Sequence, residues 1–352
     1  MTVDDLETPC VLIDLAKVEA NLKRAQDYAD SHGLKLRPHI KTHKLPRFAR
    51  RQVELGAIGV TCQKIGEAEV MAEAGLDDIF IPYNILGAAK LARLRRLADR
   101  VKLTVTADSE TTVAGLSATF RDAAQPLGVL VECDTGMHRC GVLSPEQAVA
   151  LAERIANSPG LVFEGLMTYP AAGAVETNAA WLAEAVARLS AVGLPPAVVS
   201  NGGTPDLWRS AEVKAATEHR PGTYIYLDRY QVSKDVGGFA DCALVVLATV
   251  VSRPAPDRAI LDSGSKALSS DTLGMDGFGL LVEYPSAIIR SLSEEHAIVD
   301  LTSCERKPEI GERVSVLPNH ACVVSNLFDE VVLVHADGRV ERERVAARGR
   351  VD

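Results

Sequence analysis

Eight short runs rich in β-branched and apolar residues recur between Leu34 and Tyr226: Leu34–His39, Ile58–Cys62, Asp78–Pro82, Val101–Thr106, Leu127–Cys133, Leu161–Thr168, Ala197–Ser200 and Glu218–Tyr226. Most are followed by Ala/Leu/Glu/Arg-rich amphipathic stretches such as AEVMAEAG and AAKLARLRRLADR. This alternation constrains the fold more than any other feature, because strands separated by helices pair in parallel through right-handed crossovers. Eight strands over roughly 200 residues fit a closed, TIM-like (β/α)8 barrel. An open doubly wound sheet is the rival, but no G-x-G-x-x-G follows the first strand-like segment, which counts against its dinucleotide-binding form. That first segment, Cys10–Asp14, leads into a helical pattern from Leu15 to about Ser31.

From about Cys242 the pattern changes. CALVVLATVVS, RAILDSG, HAIVDLTS, RVSVLP and EVVLVHA read as strands between turn residues, and long helical patterns stop. The expectation is a barrel over residues 10–238 and a β-rich domain over 239–352, which residues 1–14 join. A chain of 352 residues suits one large domain and a smaller one.

A net charge of −9 argues against a nucleic-acid partner, and more weakly against an anionic membrane. The opening MTVDDLETPC has neither a basic nor an apolar leader region. The longest apolar run, Cys242 to Val251, falls far short of the ~20 residues that span a bilayer. A cytoplasmic protein is expected. The seven cysteines (Cys10, Cys62, Cys133, Cys140, Cys242, Cys304 and Cys322) form no CxxC pair and suggest no disulfide framework.

Chemistry concentrates in few places. LRPHIKTHK, Leu36 to Lys44, ends the first barrel strand, where barrel active sites form. A lysine held there and partly desolvated can lose its proton and serve as an amine nucleophile, although the same residues could make a basic surface turn. SNGGT, Ser200 to Thr204, can cradle a phosphate with its N–H groups and the helix expected after it, or be an ordinary turn. LPNHACVV holds His320 and Cys322; in an extended chain, side chains two apart point the same way and could share an ion. By itself H-x-C is a weak signal.

These segments, in order, resemble the fold-type III pyridoxal phosphate (PLP) family that contains D-threonine aldolase and the eukaryotic-type D-serine dehydratase. The motif R-P-H-x-K-x-H-K stands here as RPHIKTHK. The likeness continues through TPCVLIDLAKVEANL, TCQKIGEAEVMAEAGLDDI, VLVECDTGMHRCGV, SNGGTPDLW, RPGTYIYLD, VLATVVSRPAPDRAILDSGSKALSSD and LPNHACVVSNLFD. It implies that Lys41 carries PLP as a Schiff base, with His43 as a cofactor contact and His39 packed at the barrel mouth. Ser200, Gly202, Gly203 and Thr204 would hold the phosphate with Gly222, Thr223 and Tyr224. Arg139 would lie beside the pyridine ring and leave its nitrogen unprotonated, unless it makes a surface salt bridge; Tyr169 would be a ring or substrate contact, or part of the core.

The resemblance also implies a divalent ion at His320 and Cys322, zinc being favoured over Mn2+ or Mg2+ by the nitrogen and thiolate donors. Two departures bear on the reaction. Aldolases of the family more often show aspartate where Cys322 stands, and place a histidine base where this chain has Pro170. Any such base must then be another residue or metal-bound hydroxide. The implied activity is a lyase acting on D-β-hydroxy-α-amino acids, either a retro-aldol cleavage of the D-threonine aldolase type or an ammonia-releasing dehydration. A racemase and a non-catalytic PLP carrier are weaker readings, and a homodimer is expected by analogy.

Overall fold

The computed structural model describes residues 2–352. The strands are β1 Cys10–Asp14, β2 Lys35–Leu36, β3 Val60–Thr61, β4 Asp78–Asn84, β5 Lys102–Ala107, β6 Leu127–Cys133, β7 Leu161–Thr168, β8 Val198–Asn201 and β9 Glu218–His219. They continue as β10 Leu244–Ala255, β11 Arg258–Leu261, β12 Leu280–Leu281, β13 Ile288–Leu292, β14 Ala297–Asp300, β15 Arg313–Leu317, β16 Glu330–Val334 and β17 Val340–Arg344. The helices are α1 Leu15–Ser31, α2 Pro46–Glu54, α3 Ile65–Glu73, α4 Ala88–Ala98, α5 Glu110–Phe120, α6 Pro145–Ala156, α7 Val175–Ala191, α8 Arg229–Val232, α9 Ser265–Leu268 and α10 Ala321–Leu327.

The described residues fall into two compact units. One comprises residues 25–41, 46–222 and 350–352; the other comprises residues 2–24, 42–45 and 223–349. The first is the barrel. Its eight parallel strands run in the order β2-β9-β8-β7-β6-β5-β4-β3. The end strands are joined by Ile58 N–H to the Leu36 carbonyl at 2.9 Å, Thr61 N–H to the Pro38 carbonyl at 2.8 Å, and a bridge between His39 and Thr61. A parallel sheet buried on both faces selects continuous apolar strands, and all seven residues of LGVLVEC in β6 are buried. Helix starts are specified locally. Ser109 and Ser144 accept the N–H of Thr112 and Gln147, and Pro145 occupies the first turn of α6.

Each of the eight expected barrel strands is present, three of them much shorter than their apolar runs. Leu34–His39 and Ile58–Cys62 contribute only two ladder residues each. Glu218–Tyr226 is corrected most: only Glu218 and His219 pair, because Pro221 has no N–H to donate to a ladder and Thr223–Ile225 closes into a 3₁₀ turn. In the second unit, β13-β14-β11-β10-β1-β16-β17 form one path, with β15 paired to both β10 and β12. Three of these strands give little sequence signal. β12 has two residues, β13 reads IIRSL, and β17 reads VERER, an edge strand whose charges face water. Among the described residues no helix is long and apolar enough to cross a membrane.

Between β6 and β7 the register shifts by one, with Val129 opposite Phe163 and Leu130 opposite Gly165. At Gly165 an added Cβ would stand 1.8 Å from the Val198 carbonyl oxygen, on the neighbouring backbone. Gly165→Ala is therefore expected to destabilise the protein by about 3 kcal/mol through overpacking. A lower urea midpoint than wild type checks this.

Candidate active site

In the barrel unit, β2 passes into a 3₁₀ turn, Ile40–Thr42, that presents Lys41. His39 braces that turn. Its Nδ1 accepts the Lys41 N–H at 3.3 Å, so Nε2 carries the ring proton and donates to Gln63 Oε1 at 2.9 Å. The Lys41 ammonium lies 5.9 Å from the centroid of the Tyr169 ring, just past β7, and the Arg139 guanidinium carbon lies 5.1 Å from the same centroid. Two cations far apart in sequence therefore converge on one aromatic ring, which they stabilise and are stabilised by. Arg139 is exposed, on a loop held by Asp134 Oδ1, which accepts the Gly136 and His138 N–H groups at 2.9 and 3.0 Å.

The glycine turn after β8 reaches the same ring: a Cβ on Gly203 would sit 2.6 Å from Tyr169 Cε2. Thr204 and Gly222 also come together, since Thr204 Oγ1 accepts the Gly222 N–H at 3.1 Å. The element that follows is not an α-helix but a six-residue 3₁₀ turn, Leu207–Glu212. The expected helix terminus is therefore missing here, and the turn offers only its own N–H and hydroxyl groups to an anion. The Ser200 side chain is drawn elsewhere. Its hydroxyl donates to Glu218 and accepts from Arg220 at 2.6 Å, inside a buried network in which Arg37 pairs with Asp78 and, at 3.0 Å, with Glu218. Arg220 also donates to the Thr168 carbonyl at 2.7 Å. Burial pulls the Arg220 guanidinium down to about 10, against the pull of Glu218 and Glu132, so it remains charged at neutral pH. Burial and then the neighbouring Asp108 push the Glu132 carboxyl up to about 7.

In the second unit, His320 and Cys322 do meet, but not along an extended chain. His320 is the N-cap of α10 with extended backbone angles, φ −137° and ψ 97°, and Cys322 is the second helical residue. An N-cap side chain can fold over the first helical turn, which replaces the strand argument as the reason for the contact. His320 Nδ1 contacts Asp271 Oδ2 at 2.7 Å. Burial would lower the His320 imidazolium, but hydrogen bonding to Cys322, the charge there and the Asp271 contact outweigh it and raise it to about 9. Cys322 Sγ lies 3.0 Å from the Thr42 hydroxyl and 3.4 Å from that of Thr223. Tyr224 is buried in the Thr223–Ile225 turn. His43 is buried too, its Nδ1 accepting the Leu45 N–H at 3.0 Å.

The barrel residues fit a phosphorylated aromatic aldehyde. An amine stands at a strand end, a ring and a guanidinium stand beside it, and the glycine turn has no room for a Cβ. The second-unit donors, one imidazole and one thiol with a carboxylate orienting the imidazole, suit a divalent ion held by two side chains. Among the described residues no group of three or more His, Cys, Asp or Glu is arranged around one ion position. Sequence reasoning did not single out Asp271, Arg220, His219 or Asp228. The EHR triplet, two polar residues of a buried strand and the arginine that follows it, was the available signal for two of them.

The alanine racemase N-terminal domain family matches residues 13–230, and a serine dehydratase domain matches residues 243–334. The chain belongs to the alanine racemase N-terminal domain family; it is an enzyme of the fold-type III lyase class, and PLP is the cofactor this family implies. A D-threonine aldolase of Arthrobacter sp. is 36% identical over 98% of this chain and 93% of that protein. A 3-hydroxy-D-aspartate aldolase of Paracoccus denitrificans is 32% identical over 99% and 94%. Among solved structures, D-threonine aldolase from Filomicrobium marinum superposes with a TM-score of 0.92 at 31% identity, covering 100% of this chain and 98% of that one. D-threo-3-hydroxyaspartate dehydratase from Delftia sp. HT23 gives 0.88 at 30% identity over 97% and 98%. A D-threo-3-hydroxyaspartate dehydratase has also been solved as a histidine-to-alanine variant, and as a cysteine-to-alanine variant in the metal-free form.

Asp228 sets the start of α10. Fully buried, it accepts the Ala321 N–H and the Gln231 N–H, both at 2.9 Å. Asp228→Ala would leave both donors without that acceptor, at roughly 1–3 kcal/mol each. Thermal unfolding is expected several degrees below wild type, and unchanged unfolding would show that water replaces the carboxylate at no cost.

Proposed function

We propose that this chain is a PLP- and divalent-metal-dependent lyase that cleaves D-β-hydroxy-α-amino acids by a retro-aldol reaction, as D-threonine aldolase does. Its 36% identity to such an enzyme along nearly the whole of both chains carries this reading. The convergence of Lys41, Arg139 and Tyr169 supports it from geometry.

Lys41 would hold PLP, with Gly203 and Thr204 at the phosphate and Arg139 at the pyridine ring; bound there, PLP supplies an electron sink for the bond broken at Cα. His320 and Cys322 would hold the divalent ion, zinc in preference to Mn2+ or Mg2+, which supplies Lewis acidity to the β-hydroxyl group. The chain's own residues do the positioning. His39 fixes the backbone of Lys41 through its Nδ1, so the amine leaves from a defined place. The Arg139 guanidinium would disfavour a proton on the ring nitrogen beside it, because two positive groups in contact repel. Tyr169 buttresses both cations. Pro170 offers no proton acceptor after Tyr169, so the proton of the β-hydroxyl oxygen passes to a different group.

Dehydration is a second reading, and a specific observation favours it. The histidine and cysteine substituted in the D-threo-3-hydroxyaspartate dehydratase variants are two positions apart, the spacing of His320 and Cys322. In that reaction the proton at Cα would leave first, and the Lys41 amine would be the group to take it.

Product analysis separates the two. With D-threonine, the aldolase reading expects glycine and acetaldehyde in equal amounts without ammonia, and glycine plus acetaldehyde should condense in reverse. Ammonia and 2-oxobutanoate without glycine would establish dehydration instead. In either case chelation should remove turnover while the cofactor's visible absorbance stays, and full turnover after chelation would remove the ion from the reaction.

A further inference from the structure

His219, on the last barrel strand, is outside every role assigned so far. It is fully buried, and its Nε2 lies 2.9 Å from the Gly203 carbonyl oxygen. A carbonyl can only accept, so Nε2 carries the proton. The ring stays neutral at working pH, since burial and then the charge of Arg220 hold its pKa down to about 3. The turn above it has no slack. Gly202 has φ +78°, and a Cβ there would stand 2.2 Å from His219 Cε1; on the next residue a Cβ would strike the Tyr169 ring at 2.6 Å.

The carbonyl that His219 holds belongs to the peptide joining Gly203 to Thr204. In a trans peptide the C=O and the following N–H point in opposite directions. Fixing the Gly203 carbonyl toward a buried ring therefore turns the Thr204 N–H away from it. The Thr204 hydroxyl is also set, because its oxygen accepts the Gly222 N–H at 3.1 Å, which leaves its proton to donate outward. Without the His219 donor the peptide could rotate, since glycine on its N-terminal side resists rotation least.

We propose that His219 is a positioning residue for phosphate recognition: by holding the Gly203 carbonyl, it aims the Thr204 N–H and hydroxyl at the phosphate group of the cofactor. The inference rests on the PLP reading above and deepens it. It assigns His219 no contact with substrate and no proton transfer.

The test compares PLP with pyridoxal, which has the same aldehyde and ring but no phosphate. Full-length apoprotein is titrated with each, following cofactor absorbance, for wild type, His219→Phe and His219→Gln. Phenylalanine keeps a flat ring and removes the donor, whereas glutamine keeps an N–H donor. His219→Phe should bind PLP roughly tenfold more weakly, about the worth of one buried hydrogen bond, with pyridoxal affinity unchanged. His219→Gln should recover part of the loss. Equal weakening toward both ligands, or none toward PLP, would overturn the proposal. Wild-type protein that binds neither ligand would overturn the PLP reading itself, a distinct failure. His219→Met, carried through the same comparison, covers a phenylalanine variant that does not fold.

Discussion

A parallel sheet closed into a barrel is buried on both faces, and the rest of this protein follows from that burial. Interior and helix-facing positions must both be apolar, which is why β6 is buried at every residue. Polar chemistry is then confined to strand ends and the turns beyond them. Among the exceptions inside the barrel, Arg37 pairs with Asp78 and Glu218, and Arg220 with Ser200 and the Thr168 carbonyl. Such groups tolerate burial because each charge finds a partner. They also tie β9 to β4 and to β2, β7 and β8, the three strands whose ends carry Lys41, Tyr169 and the glycine turn.

At those ends one aromatic ring does most of the organising. Tyr169 meets the Lys41 ammonium, the Arg139 guanidinium and the Gly203 backbone. These contacts come from loops after three other strands, so the cluster requires the barrel and cannot form locally. Behind it stands a layer of backbone fixation by histidines. His39 holds the Lys41 N–H, and His219 holds the Gly203 carbonyl. In both cases the imidazole acts on the main chain, which sets where an amine or an N–H points without itself entering the chemistry.

The barrel was legible in the sequence because its strands are continuous apolar runs, and Leu127–Cys133 and Leu161–Thr168 have the extents their composition indicates. Strand ends were less so. Apolar residues continue past the ladder at Pro221–Tyr226, where burial in a turn leaves the same composition as burial in a strand. The second unit hid VERER, since an edge strand has no apolar signature. Among the candidate residues, Lys41 and the H-x-C pair were visible as ordered motifs, but the reason His320 and Cys322 meet was not: the geometry at the start of α10, held by Asp228 from about ninety residues earlier, replaces period-two alternation. Asp271, which orients His320, is joined to it only by tertiary structure, so spacing could not reveal it.

The central claim is that one lysine at the end of the first barrel strand holds the cofactor. Borohydride reduction of the protein with PLP, followed by proteolysis and mass mapping, reads this directly, because reduction fixes the cofactor to whichever amine holds it. The account predicts one phosphopyridoxyl group per chain, on Lys41. Label on Lys44, spread over surface lysines, or undiminished in Lys41→Ala would contradict it.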